Sequence, residues 1–439
     1  MDNKEEKVVL EWQRSEPVDP SILTEEFCAN ARKILDMGIE EMPGYSFDCV
    51  CGKHHSVDMK HLLSGSGAVE RLPEILENYK EAKDKKILLL CDKNTWVAGG
   101  EKTISVLEKA GYNVKILTLE TENYPVLVPN EHALGTVLAN LTDDIGFMIG
   151  VGSGVISDIT KLVSHKTGRH SIVVGTAPSM DGYASINAAF VIGGHKITYN
   201  AHYHTCIVAD TKIMQTAPDE LFRAGYGDIV GKYTALSDWR LTRDVNDEHY
   251  CEITAQMVEN AVNICVDNTE AYFKREESAI ERMNEALILT GISMGITGYT
   301  RPASGSEHHL SHYWELDAVE KGIPHPLHGN SVGLASIASA EVYDIMSKRF
   351  EVVANVNAPK PDFLREIYSK AGSALTPAEL GVSEDVFRAS LKNGYKIRPR
   401  YTIFNFTRDH GMLEEVAEEV AIENEAEESN EIKLGELEF

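Results

Sequence analysis

Five histidines crowd residues 308 to 328 of this 439-residue chain, in Gly305-Ser-Glu-His308-His309-Leu-Ser-His312 and Pro324-His325-Pro-Leu-His328-Gly329. His308 and His312 stand four apart, so a helix sets both rings on one face, a spacing that suits a metal ion. His328 lies beyond that helix. Asp228 and Lys232, in Gly225-Tyr-Gly-Asp228-Ile-Val-Gly-Lys232, also stand four apart. They read either as part of a site or as a surface ion pair. One Asp and two His around an open fourth position would make a catalytic metal centre rather than a closed structural one. Local spacing does not join Asp228 to histidines 80 and 100 positions later.

Two small-residue segments each follow an apolar run. Gly150-Val-Gly152-Ser153-Gly154-Val-Ile-Ser-Asp158 opens a predicted helix. Its glycines let the backbone approach a pyrophosphate, and the helix N-terminus offers free N–H groups to it. An ordinary strand-to-helix turn has the same look. Thr176-Ala-Pro-Ser179-Met-Asp181-Gly-Tyr-Ala-Ser185 is polar and irregular, and offers Asp181 and Ser185 as ligand-binding groups or as caps. Asp92 ends the first apolar run, where a carboxylate can accept the adenosine ribose hydroxyls and repel a 2′-phosphate. That favours NAD over NADP. Cys49-Val-Cys51-Gly-Lys-His54-His55 resembles half a metal knuckle, but no second pair of cysteines lies nearby. A glycine turn with buried thiols is the reading adopted. Lys396-Ile-Arg398-Pro-Arg400 concentrates positive charge in an acidic chain, as a phosphate contact or a solvated charge run.

These residues need elements to position them. Runs such as 86–91 (KILLLC), 113–119, 145–151 and 171–175 alternate with helical patterns at 94–110, 131–140 and 156–167. Short apolar strands alternating with helices of this length mean βαβ units and a parallel sheet. Ligands then bind outside the carboxyl ends of the strands. After about residue 215 helical patterns follow one another, among them 218–240, 250–270, 278–297, 308–321 and 331–348. The predicted architecture is an α/β Rossmann-like domain over 60–215 and an all-α domain over 216–421. Residues 1–59, with a helix around 21–37, form an N-terminal extension, and 422–439 an acidic, disordered tail.

The net charge is −26, and residues 411–439 alone carry eleven Glu and one Lys. Such a balance argues against nucleic acid or an anionic membrane as partner. No apolar stretch approaches the roughly 18 residues needed to span a bilayer. The first residues lack the apolar core of a secretory signal. Seven cysteines, mostly single within apolar runs, are cytosolic usage. A cytoplasmic protein is expected.

Taken in order, GSGVISDITK, TAPSMDGYAS, GYGDIVGKYTALSDW, RPASGSEHHLSH and PLHGNSVG resemble the sn-glycerol-1-phosphate dehydrogenase family. That family lies within the iron-containing alcohol dehydrogenase and dehydroquinate synthase superfamily. The resemblance runs from about residue 60 to 413. It implies an active site in the cleft between the two domains, with Asp228, His308 and His328 as metal ligands. It also implies Gly152 and Gly154, with Ser153 and Asp158 beside them, at the cofactor pyrophosphate. Thr176, Ser179 and Ser185 then line the dinucleotide site, and Asp181 faces the substrate. The implied reaction is reversible reduction of dihydroxyacetone phosphate to sn-glycerol 1-phosphate with NAD(P)H. A polyol dehydrogenase and a dehydroquinate-synthase-like lyase are the alternatives. His312 is expected to relay a proton or meet the cofactor ribose. Iron-type relatives carry a His where this chain has Lys232, which favours zinc with three ligands over nickel or iron and offers Lys232 to the substrate phosphate. A homodimer or larger homo-oligomer is implied.

Overall fold

The computed structural model describes residues 24–121 and 127–424. Six strands form one sheet: β1 (His61–Gly65), β2 (Lys86–Cys91), β3 (Val114–Thr118), β4 (Ile145–Val151), β5 (His170–Val174) and β6 (Cys206–Asp210). Their order is β1-β6-β5-β4-β2-β3, and every pairing is parallel. All seven residues of β4 are buried. A central parallel strand covered on both faces needs apolar side chains on both, which is why its sequence does not alternate. On β2, Ile87, Leu89 and Cys91 pack into one core, Leu88 and Leu90 into the core on the opposite face.

The order locates the ligand edge. From β2 the chain goes outward to β3, then returns to β4 on the other side of β2. The crevice between diverging connections therefore opens beyond the carboxyl ends of β2 and β4. Asp92 follows β2, and Gly152, Ser153 and Gly154 follow β4 into helix α1 (Val155–Thr167).

Past Asp210 the described residues contain no strand. The helices that matter here are α2 (Asp219–Val230), α3 (Lys232–Asn246), α4 (Glu252–Asp267), α5 (Glu277–Thr297), α6 (Ser306–Lys321) and α7 (His328–Ser347). The predicted single helix over 218–240 is divided at Gly231. The helix expected from 331 begins at His328, because the extended Leu327 after Pro324 and Pro326 starts it there. Helices α5 and α7 are buried on nearly all sides, as the central members of a bundle must be.

Three expectations need correction. Residues 24–59 are no appendage: Ala31, Ile34, Met42, Phe47, Val57 and Met59 are buried in the same core as the helical half. The helix expected around 21–37 runs over Glu25–Arg32, capped by Thr24, and continues as a 3₁₀ turn. Alternation was too brief to reveal two antiparallel hairpins, 46–48 with 54–56 and 187–192 with 195–200. At the C-terminus a helix runs over 413–424, past the expected boundary at 421, and Asn424 is buried on it. The rest of the predicted tail lies outside the described residues. Among the described residues no helix is long and apolar enough to cross a membrane.

Candidate active site

Asp228 stands near the end of α2, His308 in the first turn of α6, and His328 is the first residue of α7. Their donor atoms lie within 4.8 Å of one another. Glycines make this convergence possible. A Cβ on Gly227 would run into the Gly329 carbonyl, and one on Gly329 into the Ala224 carbonyl. Backbone contact between α2 and α7 thus requires glycine at both places, and it sets Asp228 and His328 side by side. Gly225 does the same for the Pro178 carbonyl, seating the Thr176–Ser185 loop on α2.

Each histidine is oriented by a carboxylate. His308 Nδ1 bonds Glu307 Oε1 at 2.7 Å, and His328 Nδ1 bonds Glu315 Oε1 at 2.7 Å. Both Nδ1 atoms therefore carry the proton, and both Nε2 lone pairs are left for a metal, the usual support for a ligating imidazole. Burial first, then the Lys232 charge, holds His308 well below the ordinary histidine range, so its ring is neutral. Asp228 Oδ2 accepts the Asp181 N–H at 2.9 Å, while Oδ1 faces His308 Nε2 at 3.8 Å and Lys232 Nζ at 2.5 Å. Burial would raise the Asp228 carboxyl; the Lys232 charge leads the opposing causes, and the carboxyl comes to about 2. One carboxylate and two imidazoles with their Nε2 atoms free are a donor set that fits a divalent metal, with the Lys232 ammonium as a neighbouring charge on Asp228. Glu307 and Glu315 were missed in the sequence, although Glu307 beside His308 was a visible signal.

Lys232, expected at the substrate phosphate, faces inward. Its side chain is fully buried, with Nζ 3.1 Å from Asp181 Oδ2 and 2.5 Å from Asp228 Oδ1. Burial alone would lower its pKa; the two carboxylates raise it, so it stays charged. In this position it is a counter-charge between two carboxylates. His312, one turn past His308, stacks on His328 with ring centroids 5.4 Å apart, and its Nδ1 is 3.0 Å from Arg398 Nη2. Arg398 also lines a cavity of 550 Å³ with Tyr395, Lys396, Arg400, Tyr401 and Arg408. The positive cluster thus lies beside the metal trio, although 86 residues separate Arg398 from His312. Lys196, from the hairpin 195–200, pairs with Glu315 and brings that hairpin to the same place.

At the sheet edge no side chain caps the N-terminus of α1, which leaves its first N–H groups for a ligand. A Cβ on Gly152 would strike Ile156, so glycine there allows the close turn from β4 into α1. Ser153 keeps a negative φ, as its side chain requires. Its hydroxyl donates to the Ala177 carbonyl at 2.6 Å and accepts from the Thr176 and Ala177 N–H groups, tying the two loops together. Asp158 faces inward: its carboxylate accepts the Ala189 N–H at 3.0 Å and lies 3.7 Å from Lys161 Nζ. There it supports the 187–200 hairpin. Ser185 likewise donates to the Gly182 carbonyl at 3.0 Å. Thr176 is buried and Ser179 half-buried on the same loop. Asp92 caps the helical turn after β2, Oδ1 accepting from Asn94 and Thr95 at 2.8 Å.

A parallel sheet with its switch-point crevice, joined to a helical half that assembles Asp, His and His, defines the iron-containing alcohol dehydrogenase class. The family model described as iron-containing alcohol dehydrogenase matches residues 63–218. A glycerol-1-phosphate dehydrogenase [NAD(P)+] of Halalkalibacterium halodurans is 30% identical over 385 residues, covering 83% of this chain and 96% of the relative. One of Methanosarcina barkeri is 30% identical, covering 82% and 94%. The chain belongs to the glycerol-1-phosphate dehydrogenase family. Among solved structures, the glycerol dehydrogenase of Schizosaccharomyces pombe shares the fold with a TM-score of 0.62 at 18% identity, covering 86% of this chain and 92% of that one.

Proposed function

We propose that this protein reversibly reduces dihydroxyacetone phosphate to sn-glycerol 1-phosphate, using NAD(P)H and one divalent metal. The convergence of Asp228, His308 and His328, in a chain of this family, carries the proposal. Asp228 Oδ1 and the two Nε2 atoms would hold the metal. We favour zinc, since three nitrogen and oxygen donors with an open position suit it; nickel and iron accept the same donors. When bound, the metal supplies Lewis acidity at the ketone oxygen and the nicotinamide supplies the hydride.

The chain's own residues supply the rest. Arg398 donates to His312 Nδ1, so the proton of the neutral imidazole sits on Nε2. Burial first, then the Arg398 charge, keeps His312 well below its usual range. A neutral ring protonated at Nε2 can donate a hydrogen bond to the oxygen on which negative charge develops and orient it, while the proton itself comes from solvent. Asp181 orients a substrate hydroxyl, and Lys232 keeps the paired carboxylates from repelling each other. Arg398 is assigned the substrate phosphate, with Lys396 and Arg400 adding positive potential. The uncapped start of α1, with Gly152 and Gly154, takes the cofactor pyrophosphate, and Thr176, Ser179 and Ser185 border it. Asp92 Oδ2 accepts from the ribose, which favours NAD over NADP. The same reading divides the chain into a dinucleotide half, 60–215, and a metal half from 216 onward. It places the protein in the cytoplasm, a compartment that keeps cysteines out of disulfides. The family resemblance carries the expectation of a homo-oligomer, which a light-scattering mass against the 48.6 kDa chain measures.

The test is NADH and NADPH oxidation by metal-analysed protein with dihydroxyacetone phosphate or dihydroxyacetone, and chiral analysis of the product. The proposal expects the phosphorylated ketone to react with far higher kcat/KM and to give the sn-1 product. Equal turnover of dihydroxyacetone would make this a polyol dehydrogenase. A clear NADPH preference would remove the role given to Asp92.

A further inference from the structure

The hairpin 46–48/54–56 ends in a tight turn, Cys49-Val-Cys51-Gly52, with Gly52 at φ +84. The turn points Cys49, Cys51 and His55 at Cys251, the residue preceding α4 and 196 positions beyond His55. The four donor atoms, three Sγ and one Nε2, all lie within 4.8 Å of one another. Cys49 Sγ is 3.6 Å from Cys251 Sγ, and His55 Nε2 is 3.2 Å from Cys51 Sγ and 3.5 Å from Cys251 Sγ. A tetrahedron with metal–sulfur bonds of about 2.3 Å and a metal–nitrogen bond of about 2.1 Å has edges of about 3.8 Å between sulfurs and about 3.6 Å from sulfur to nitrogen. The three separations lie within about 0.4 Å of those edges.

From this geometry we infer that Cys49, Cys51, His55 and Cys251 form a second metal centre, a closed structural zinc site apart from the Asp228–His308–His328 trio. Three observations besides the distances support it. Cys49, His55 and Cys251 are buried, and a buried cluster of soft donors with one imidazole selects tetrahedral zinc. His55 Nδ1 bonds the Ile296 carbonyl at 2.9 Å, which fixes the tautomer that turns Nε2 toward the sulfurs, as a ligating histidine requires. Cys251 stands at the N-terminus of the sixteen-residue α4, whose partial positive charge favours a thiolate. Four protein donors leave no open position, so the centre is structural. It would pin the N-terminal hairpin to α4 directly and, through His55, to α5. His54 takes no part; it turns outward to Asp48 at 2.8 Å.

The competing use of these thiols is a Cys49–Cys251 disulfide, and the experiment separates the two. Full-length protein made in zinc-supplemented medium and desalted is expected to hold two zinc equivalents per chain. His308→Ala should lose one of them and Cys51→Ser/Cys251→Ser the other. Because the cysteine variant can fail to fold, wild-type protein reconstituted with cobalt(II) gives a second reading. Thiolate ligation produces an intense near-ultraviolet charge-transfer band, which an Asp–His–His site cannot produce. That band, retained in His308→Ala, supports the proposal. Its absence, or a single zinc equivalent that His308→Ala removes, or a Cys49–Cys251 disulfide in non-reducing peptide maps, overturns it.

Discussion

Residue chemistry here depends on partners brought from far away. Glu315 does no chemistry on substrate, yet it fixes the proton of His328 and accepts Lys196. Replacing Glu315 by Gln keeps the shape and removes the charge. Metal affinity measured by competition with a chelator is expected to fall roughly 10- to 100-fold. Arg398 and Lys232 separate two roles for positive charge. Arg398→Ala is expected to raise KM for dihydroxyacetone phosphate by about 10- to 100-fold, the loss of a charge-assisted hydrogen bond of roughly 1.5–3 kcal/mol, and to leave KM for dihydroxyacetone nearly unchanged. Lys232→Ala should depress kcat for both ketones, because it leaves Asp181 and Asp228 as adjacent buried carboxylates. A selective effect of Lys232→Ala on the phosphorylated ketone alone would restore the phosphate role first expected for it. Lys232 illustrates what spacing conveys: the i,i+4 relation to Asp228 was readable, but burial decided that the pair is internal.

At the scale of elements, glycine contacts govern where helices cross. Gly227→Ala would push α2 away from the Gly329 carbonyl, costing about 1–3 kcal/mol by overpacking and displacing Asp228 from His328. Thermal unfolding and bound-metal stoichiometry should both fall. Gly135 offers the contrast. It sits within the helix Glu131–Asn140, where a Cβ would meet nothing within 4 Å. Gly135→Ala is expected to stabilise the protein by about 0.5–1 kcal/mol with kcat unchanged. The two substitutions are chemically identical, and only the packing around each distinguishes them. Strand and helix alternation was legible because each buried parallel strand must be apolar throughout. The hairpin at 187–200 was not, since its exposed face carries mixed side chains and its register depends on support from Asp158 and Glu131.

For the whole molecule, stability is tied to pH through a buried carboxyl at the C-terminal helix. Glu341 on α7 pairs with Arg365 and accepts from Asn424 Nδ2 at 3.0 Å. Burial pushes its pKa from 4.5 up to about 7, with Arg365 opposing. The folded value exceeds the unfolded one, so the favourable contribution is complete below about pH 4.5 and is lost as pH rises through about 7. The loss is on the order of 3 kcal/mol, because each pH unit between the unfolded and folded values is worth about 1.4 kcal/mol. Melting temperatures of wild type and Glu341→Gln between pH 5 and 8 check this: the variant's profile should be flatter, and parallel profiles would refute it. The global charge of −26 is a property of the solvent shell. Inside, Lys232 and Arg398 stand beside the metal trio, among the carboxylates of Asp181, Glu307 and Glu315.

By itself the sequence determined the alternation of strands and helices, the ligand edge of the sheet, the family, and the residue types for a metal, a pyrophosphate and a phosphate. Those properties are local: periodicity, glycine turns and motif order need no knowledge of what packs against them. Tertiary structure alone decided which of those residues meet. It brought Asp228 to His308 and His328 through glycine-mediated helix crossing, and it turned Asp158 and Lys232 inward. It also carried Cys251 to the Cys49–His55 hairpin, completing a four-donor cluster whose half was dismissed as a turn. Contacts between residues 80 to 200 positions apart depend on how helices stack, and no short-range spacing encodes that.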